Sequence, residues 1–334
     1  MTLKINRQWR LKSVPAGAVS ADNFEWGEAP VPELTPGTVL VRNRLLSIDP
    51  ANRAWMNGAT YRGQLQVGQV MEGFALGEVV QSGHPSFKPG DIVDGLLGWQ
   101  DYCAIAAAEL TLRRADLPLD LQVGLLGITG LTAYHGMLDV GGIRAGETVV
   151  ISSAAGAVGS IAGQIARLSG CRVIGIAGGE EKCRWLVDEL GFHGAVDYKR
   201  GDLRRALRSQ CPDGIDVYLD NVGGEVLDAA LASMNIFGRV VCCGAISQYN
   251  VAQRPPGPIA VPGVLVVKRI RMEGFLVSDY QHMRNSAEKV LSRWSISSAL
   301  KPVVDVSEGL ETAPATLQRM FEGRCRGKVC VNIA

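Results

Sequence analysis

Apolar and polar positions alternate with two different rhythms along the chain. Up to about residue 122, short apolar runs such as 38–48, 73–83 and 87–105 are separated by turn residues. Short strands bounded by Pro and Gly are typical of a small β-barrel. From about residue 123, continuous apolar runs alternate with segments in which apolar residues recur at helical spacing. Because parallel sheets with helices on both faces give that alternation, this region predicts a doubly wound parallel sheet.

Five strands follow one another in this second region. They are predicted at 147–154, 171–178, 195–199, 214–223 and 238–247. The end of the chain differs, because a helical pattern over 278–296 precedes two strand-like runs at 300–309 and 327–334. The stretch 247–263 is too rich in proline for a helix or a central strand. A loop of that length in a compact domain is usually mobile or functional, and a substrate lid is one interpretation.

We therefore predict an α/β protein of two domains. Residues 123–299 are expected to form a Rossmann-type domain that binds a dinucleotide. Residues 1–122 are expected to form a β-domain, completed by residues 300–334.

Composition narrows the classes of partner. The 334 residues are 47% hydrophobic and 20% charged, as in an ordinary globular protein. A net charge of +1 gives no electrostatic reason to expect nucleic acid or an anionic membrane as a partner. The first residues lack the apolar core of a signal peptide, and no apolar run reaches the roughly 20 residues of a membrane span. We expect a cytoplasmic protein that does not enter a membrane.

Eight cysteines and four histidines are scattered along the chain, and no two cysteines form a C-x-x-C pair. A structural or catalytic zinc site needs three or four clustered nitrogen, sulfur or carboxylate ligands. Free thiols of a reduced compartment are the simpler interpretation, so we predict no metal site.

A glycine turn, AGAVG, follows the first predicted strand and opens a helix. Glycine lets the backbone approach a pyrophosphate, and the helix N-terminus supplies free N–H donors and a partial positive charge. Gly156 and Gly159 are the expected contact glycines. Their G-x-x-G spacing is shorter than the full dinucleotide motif, and a tight turn without a ligand would need the same glycines.

The tip of the second strand indicates which dinucleotide binds. About 20 residues after such a turn, NAD-binding proteins carry an acid for the ribose hydroxyls. Here the strand ends in Gly178 and Gly179, followed by Glu180 and Glu181, which suit the first turn of the next helix, and by Lys182. Small residues and a cation suit a ribose 2′-phosphate, so we predict NADP(H). A solvated helix lysine is the alternative for Lys182.

Several segments together carry a resemblance to a known family. They are SAAGAVGSIAGQIA at 153–166, EEK at 180–182, DY at 197–198, DNVGG at 220–224, CGAISQYN at 243–250, EGFLV at 273–277 and GK at 327–328. Over nearly its full length the chain resembles the zinc-free branch of the medium-chain dehydrogenase/reductases, close to the prostaglandin reductases and the curcumin and alkenal double-bond reductases. The resemblance implies that residues 1–122, completed by 300–334, form a chaperonin-10-like β-barrel for substrate binding and catalysis beside the Rossmann domain.

The resemblance also implies a set of cofactor contacts. Lys182 and Tyr198 would contact the 2′-phosphate, and Asn221 would lie near the cofactor at the end of the fourth strand. The remaining implied contacts are Gly156, Ala157, Val158 and Gly159 for the pyrophosphate, and Cys243, Gly244, Ala245, Ile246, Ser247, Tyr249, Phe275, Leu276 and Val277 near the nicotinamide. For Asn221 a turn role at the strand end, and for 275–277 a core strand, are the alternatives.

Three side chains are candidates for work on the substrate. Tyr249 is the first candidate for proton donation or enolate binding, and Tyr61 is the second. Arg53 is a candidate for binding polar groups of the substrate. A packing tyrosine and a structural arginine are the alternatives for Tyr249 and Arg53.

Two positions depart from the pattern of the family. Ala51, in the sequence DPANR, stands where relatives often carry a tyrosine proposed as proton donor. Cys325 stands where relatives often carry an asparagine that contacts the cofactor. The resemblance therefore assigns neither of these roles in this chain.

The expected activity is reduction of the C=C bond of an α,β-unsaturated ketone or aldehyde by NADPH. A chain without zinc ligands lacks the Lewis acid that stabilises an alkoxide in alcohol oxidation. An NADPH quinone reductase, with the same cofactor and another acceptor, is the first alternative. A non-catalytic NADP(H)-binding protein is the second. Relatives often pair through the edge of the nucleotide-binding sheet, which implies a homodimer in which KRIRMEGFLV supplies the edge.

Overall fold

A computed structural model describes residues 5–58, 60–253, 257–258 and 261–333. The strands of this part of the chain are β1 Ile5–Leu11, β2 Phe24–Pro30, β3 Thr38–Ile48, β4 Ala75–Ser82, β5 Ile92–Gly95, β6 Tyr102–Ala106, β7 Thr111–Arg113, β8 Thr148–Ile151, β9 Arg172–Ala177, β10 Gly194–Asp197, β11 Ile215–Asp220, β12 Met234–Cys242, β13 Arg271–Gly274, β14 Val304–Glu308 and β15 Lys328–Asn332. The α-helices are α1 Pro50–Asn57, α2 Leu119–Val123, α3 Ile128–His135, α4 Ala157–Leu168, α5 Glu180–Asp188, α6 Leu203–Gln210, α7 Gly224–Ser233, α8 Val261–Lys268, α9 Arg284–Ile296 and α10 Ala313–Phe321. None of these helices has the length and apolar character to cross a bilayer.

A six-stranded sheet contains all five strands predicted in the second region. Its order is β10-β9-β8-β11-β12-β13, and every neighbouring pair is parallel. The strand order reverses between β8 and β11, which are neighbours in the centre of the sheet. In sheets of this kind, ligands bind in the crevice at the carboxyl ends of the strands on either side of that reversal.

Both faces of this sheet are covered, which explains the continuous apolar runs. Val149 and Ile151 of β8 belong to a core that also contains residues of α3, α4 and α9, such as Ile165 and Leu291. Val150 points the other way, into a core with residues of α6 and α7. Because successive side chains of a strand alternate between faces, a strand buried on both faces must be apolar throughout.

A seven-stranded sheet joins the beginning and the end of the chain. β3 pairs with β4 along one edge, while β6 and β15 share its other edge. β14 pairs with β15, so the last two strands of the chain belong to the same sheet as β3 to β7. The domain boundaries at 122 and 299 stay a proposal, and α2 crosses the first of them.

Some elements have weaker signals in the sequence. β1 and β2 form a separate hairpin in which the rings of Trp9 and Trp26 meet edge to face at 5.0 Å. α8 begins at Val261, inside the stretch 247–263 that predicts no helix, so that prediction is wrong at its end. Pro262 is tolerated there because the first turn of a helix needs no N–H donor. Residues 254–256, 259 and 260 of the predicted lid lie outside the described residues.

Four charged side chains connect the two sheets. Asp94 of β5 and Arg113 of β7 face Arg284 and Glu288 of α9. Arg284 contacts Asp94 at 2.6 Å and Glu288 at 2.7 Å, and Arg113 contacts Glu288 at 2.6 Å. The two arginines are largely buried, so each depends on the carboxylates for the loss of its hydration.

Replacing Glu288 by Gln is expected to lower the free energy of unfolding by about 3 kcal/mol, because two buried guanidinium groups then share one carboxylate. Urea unfolding followed by circular dichroism measures this change. The matched control is Glu322→Gln, which breaks the exposed pair with Arg324 and is expected to cost less than about 1 kcal/mol. Equal effects of the two substitutions would contradict the assignment of a buried inter-sheet network.

Candidate active site

The glycine turn lies where the sequence places it, between β8 and α4. Gly156 is the residue immediately before the helix, with extended backbone. A Cβ on Gly159 would lie 2.4 Å from the carbonyl oxygen of Ser153, so only glycine lets the helix pack this closely on the turn. Ser153 itself has a φ of +49°, an uncommon conformation for a residue with a side chain. The turn therefore presents the N–H groups of 157–159 at the switch point, a geometry that suits a pyrophosphate.

At the tip of β9, Gly178 leaves space that the side chains of Tyr198 and Lys199 occupy. A Cβ on Gly178 would lie 2.9 Å from the ring of Tyr198 and 3.0 Å from Cε of Lys199. Without that Cβ, the half-exposed phenol of Tyr198 and the Lys199 side chain lie directly over the strand end. Asp197 accepts hydrogen bonds from the N–H groups of Gly179 (2.9 Å) and Lys199 (3.0 Å), which holds the two neighbouring strand ends together.

The charges around this tip are unequally paired. Glu180 contacts Arg200 at 3.1 Å, and Glu181 pairs with Arg326. Lys182 is half-buried on α5 and has no carboxylate or hydrogen-bond partner among the described residues. Burial is the main cause that lowers the pKa of Lys182, and the nearby positive charges of Lys199 and Arg326 add to it. An uncompensated cation here suits a phosphate, whereas an acid that would hold ribose hydroxyls is not free.

A buried network joins the ends of the two central strands. The side-chain amide of Asn221 donates to the carbonyl oxygen of Ser152 at 2.8 Å, and its N–H donates to the Ser152 hydroxyl at 2.8 Å. Asp220 accepts from the Tyr218 hydroxyl at 2.9 Å and from the N–H of Gly223 at 2.9 Å. Burial raises the pKa of Asp220, although these hydrogen bonds oppose the rise. The network fixes the floor of the crevice, with Asn221 at the position where the sequence predicts it.

The segment after β12 folds back over this floor. The N–H groups of Cys243 and Gly244 donate to the Asp220 carbonyl, and the N–H of Ile246 donates to that of Asn221. Ser247 donates its hydroxyl to the carbonyl oxygen of Val222 at 2.6 Å. Residues 243–247 therefore lie against the carboxyl end of β11, and their contact with the cofactor stays a prediction.

The Tyr249 hydroxyl points back into the same loop. It accepts a hydrogen bond from the N–H of Ala245 at 2.9 Å and keeps its own proton free to donate. Burial raises the pKa of Tyr249, so the phenol is protonated at neutral pH. The Tyr249 hydroxyl also lies close to Gly244: a Cβ added to this glycine would be 3.5 Å from the hydroxyl oxygen, in ordinary van der Waals contact.

The end of β13 lies beside this loop. Cys242 pairs with Gly274 in the parallel register, which puts Cys243 and Phe275 at adjacent strand ends. A Cβ on Gly136 would lie 3.0 Å from the Phe275 ring, so a glycine at that position makes room for the ring. Phe275 and Val277 pack against the core, and Leu276 is partly exposed.

α1 brings the other sheet to the crevice. The side-chain amide of Asn57 lies 3.5 Å from the carbonyl oxygen of Tyr249. Tyr61 is 59% exposed, and its ring meets that of Trp55 edge to face at 6.5 Å. Desolvation of its hydroxyl is the main cause that raises the pKa of Tyr61, and the negative charge of Asp49 adds to the rise.

Arg53 lies on the inward side of the same helix and is 0% exposed. Its Nη2 donates to the carbonyl oxygens of Gly17 (2.7 Å) and Pro15 (3.2 Å), and its Nε donates to the side chain of Asn250 at 3.2 Å. Through these hydrogen bonds, Arg53 of α1 connects the N-terminal loop at Pro15 and Gly17 to the loop that carries Tyr249. Binding of substrate by Arg53 stays a prediction, and in this arrangement it would require these contacts to open.

Sequence reasoning missed four residues of the site. Lys199 and Arg326 lie beside Lys182, and Lys328 forms a buried ion pair with Asp49 at 2.5 Å, just before α1. The GK segment at 327–328 was a usable signal for this pair. Arg326 and Lys199 gave none, because surface arginines and lysines are common.

The positions that depart from the family pattern are also located. Ala51 lies in the first turn of α1 and has no polar side chain. Cys325 is buried next to Lys182, and burial raises the pKa of its thiol to about 11. Among the described residues, no three His, Cys, Asp or Glu side chains form a group that would hold a metal ion.

Two family models match the chain. Residues 7–112 match the N-terminal domain of oxidoreductase, and residues 157–293 match the model described as zinc-binding dehydrogenase. The NADPH-dependent curcumin reductase of Escherichia coli is 39% identical over 98% of this chain and 97% of the relative. The NADP⁺-dependent 2-alkenal reductase of Nicotiana tabacum is 38% identical and prostaglandin reductase 1 of Mus musculus 41%, each over at least 97% of both chains.

Solved structures give the same result. The crystal structure of CurA from Vibrio vulnificus in complex with NADPH has a TM-score of 0.94 and 38% identity, over 98% of this chain and 99% of that one. The quinone oxidoreductase of Escherichia coli has a TM-score of 0.79 at 19% identity over 98% of this chain and 99% of that one, a likeness of fold alone. The chain therefore belongs to the zinc-free medium-chain dehydrogenase/reductases, in the branch of the curcumin, prostaglandin and alkenal reductases.

Proposed function

We propose that this protein reduces the C=C bond of α,β-unsaturated ketones and aldehydes with NADPH. The observation that carries the proposal is identity of 38–39% over 98% of the chain to reductases named for NADPH or NADP⁺ and for curcumin or 2-alkenals. Quinone oxidoreductases share the fold at 19–21% identity, which makes a quinone reductase the less favoured alternative.

The residues present fit NADP(H). The first turn of α4 would hold the pyrophosphate, because Gly156 and Gly159 leave room for close approach. Lys182 and Tyr198 would hold the 2′-phosphate beside Gly178. Residues 243–247 and 275–277, at adjacent strand ends, would flank the nicotinamide.

When bound, NADPH supplies a hydride, which is the chemistry that the side chains themselves lack. Reduction places the hydride on the β-carbon of the substrate, and the π electrons of the C=C bond move toward the carbonyl oxygen. The resulting enolate oxygen needs a hydrogen-bond donor, and the α-carbon then takes a proton. Tyr249 suits this role because its hydroxyl is oriented by the Ala245 N–H and stays protonated.

Tyr61 is the second candidate donor, and its ring packs against Trp55 of α1. Its exposed ring allows it to move toward a substrate, while Trp55 supports one edge. Arg53 contributes by holding Asn250, the neighbour of Tyr249, rather than through an exposed charge.

One screen separates the three functions under consideration. NADPH oxidation is measured with enones, enals and quinones, and the panel is repeated with NADH. Turnover of enones and enals above quinones supports the proposal, and the reverse order supports a quinone reductase. Binding of NADPH without turnover of any acceptor would identify a non-catalytic binding protein.

Replacing Tyr249 by Phe is expected to lower kcat for an enone by about 100-fold, because the enolate loses a positioned proton donor. KM for NADPH is expected to change by less than about threefold, since the substitution leaves the proposed pyrophosphate and 2′-phosphate contacts in place. Steady-state kinetics at saturating NADPH measures both. Tyr134→Phe, which removes the hydroxyl of a tyrosine packed against Trp294, is the matched control. If Tyr249→Phe retains the kcat of the control, Tyr61→Phe becomes the decisive variant.

Replacing Lys182 by Ala is expected to raise KM for NADPH by about tenfold or more and to leave KM for NADH within about twofold, because the lost cation faces only the 2′-phosphate. The ratio of the two KM values is the measurement. Lys289→Ala removes an exposed lysine of α9 and serves as control. An equal rise for both cofactors would refute the 2′-phosphate contact.

A homodimer through the edge of the nucleotide-binding sheet is part of the proposal. Among the strands that the structure describes, β13 is the last of that sheet and pairs with β12 on one side only. The neighbouring helix α8 exposes Val266 (75%) and Val267 (69%), and Phe237 is exposed near the start of β12. Exposed apolar side chains beside an open strand edge favour burial against a second copy.

Size-exclusion chromatography with light scattering is expected to give twice the mass of one chain. Val266→Glu is expected to shift the protein toward the monomer, because a charge at a buried interface loses its hydration. Val67→Glu, at an exposed valine in the loop between α1 and β4, is expected to leave the mass unchanged. A wild-type monomer at micromolar concentration would contradict the dimer.

A further inference from the structure

Arg326 reaches from the loop before β15 to the helix that carries Lys182. Its guanidinium pairs with Glu181 and lies over the ring of Trp185, 5.8 Å from the ring centroid. Trp185 is buried in the core of the six-stranded sheet, so it is a firm support for a flat cation. Arg326 therefore brings a charge from the seven-stranded sheet to the nucleotide-binding side of the molecule.

Lys182 has two other cations in its surroundings, Lys199 and Arg326. Lys199 and Arg326 both lie close enough to Lys182 to act on its charge, and the Lys199 side chain covers the Gly178 Cα. Cys325 also adjoins Lys182, but its thiol is neutral at pH 7 because burial raises its pKa to about 11. Glu181 is the acid that opposes this group, so the cluster keeps an excess of positive charge.

The other acids near the strand tip have partners of their own. Glu180 contacts Arg200 at 3.1 Å, and Asp197 accepts from the backbone of Gly179 and Lys199 and lies 3.7 Å from Arg200. Their charges are therefore engaged away from Lys182. A doubly charged anion would balance the excess that remains.

We propose that Arg326 is a specificity residue for the 2′-phosphate of NADP(H), and that its guanidinium exchanges Glu181 for that phosphate. This inference rests on the proposed cofactor. The Glu181 side chain is 79% exposed, and an exposed ion pair contributes little to stability, so the exchange costs little. A phosphomonoester carries about −1.5 to −2 charges and three strong acceptor oxygens, which suit the planar fork of an arginine better than one solvated carboxylate does.

Arg326 directly precedes two residues, Gly327 and Lys328, that contact other parts of the candidate site. Gly327 donates its N–H to the carbonyl oxygen of Ala155 at 2.9 Å, and Lys328 pairs with Asp49 before α1. Three successive residues thus touch the 2′-phosphate region, the glycine turn and the start of the substrate-side helix. A 2′-phosphorylated nucleotide would then be held by residues of both sheets, and a nucleotide without that group by those of one.

Calorimetric binding of 2′,5′-ADP and 5′-AMP to the full chain tests the assignment without any turnover. Arg326→Leu is expected to weaken binding of 2′,5′-ADP about tenfold or more and to leave 5′-AMP within about twofold, because only the first carries the 2′-phosphate. Arg324→Leu is the matched control. Arg324 lies in the same loop, is 71% exposed and pairs with Glu322, so its loss is expected to change neither affinity by more than about twofold.

Glu181→Gln separates phosphate binding from a structural role. It breaks the same ion pair as Arg326→Leu but leaves the cation in place. If Arg326 binds the phosphate, Glu181→Gln retains or increases the affinity for 2′,5′-ADP. If the pair merely holds the loop against α5, Glu181→Gln weakens binding as much as Arg326→Leu does, and the proposal is overturned.

The remaining outcomes also decide the matter. If the wild-type protein prefers 2′,5′-ADP and Arg326→Leu keeps that preference, Arg326 does not bind the 2′-phosphate, and the proposed cofactor is still supported. A wild-type protein without preference for 2′,5′-ADP over 5′-AMP refutes both. Thermal melting of each variant without nucleotide verifies that the fold is retained.

Discussion

The contact between Gly327 and the glycine turn is the constraint on which the site depends. The Gly327 N–H donates to Ala155, and a Cβ on Gly327 would lie 2.2 Å from the carbonyl oxygen of Val303, with φ at +65°. Only glycine is compatible with both the close approach and that backbone conformation. The contact seats the last strand of one sheet on the phosphate-binding turn of the other. The crevice, the adjacent cations and the start of α1 are positioned relative to each other through this point.

The partners and the burial of a charged side chain decide whether it can bind a ligand. Arg53 and Arg326 have the same side chain, yet the first has no exposed surface and is bonded to Gly17, Pro15 and Asn250, while the second has one exposed carboxylate as partner. An exposed ion pair is exchanged at little cost, whereas a buried and bonded guanidinium is costly to release. The same reasoning leaves Lys182 free for a ligand, because Glu180 and Glu181 are both engaged by arginines.

Most elements of the six-stranded sheet were predictable, and several elements outside it were not. β8 to β12 and the helices between them follow from continuous apolar runs and helical spacing, which are local signals. β1 buries the polar side chains of Asn6 and Gln8, and α8 carries Pro262 in its first turn, so both elements lack the usual apolar signal. In the candidate site, the glycine turn and Lys182 were predicted from the sequence, Tyr198 and the 243–249 loop from the family resemblance, and their cofactor contacts stay predictions. Lys199, Arg326 and the Asp49–Lys328 pair were missed, because their partners are distant in the chain or their residue types are common on surfaces.

The sequence by itself determined the parallel α/β architecture, the glycine turn and the two glycines, Gly178 and Gly179, that stand in place of an acid at the tip of the second strand. These depend on periodicity and on the absence of a Cβ, which act within a few residues. The tertiary structure alone decided that Arg53 is buried, that Glu181 is the partner of Arg326 and that the Tyr249 hydroxyl accepts the Ala245 N–H. Burial and charge pairing depend on distances between segments: Glu181 and Arg326 are separated by 145 residues in the chain and come together only when both sheets have formed. Local sequence patterns contain no information on such distances. The ion pairs and hydrogen bonds of the cleft could therefore be identified only from the tertiary structure.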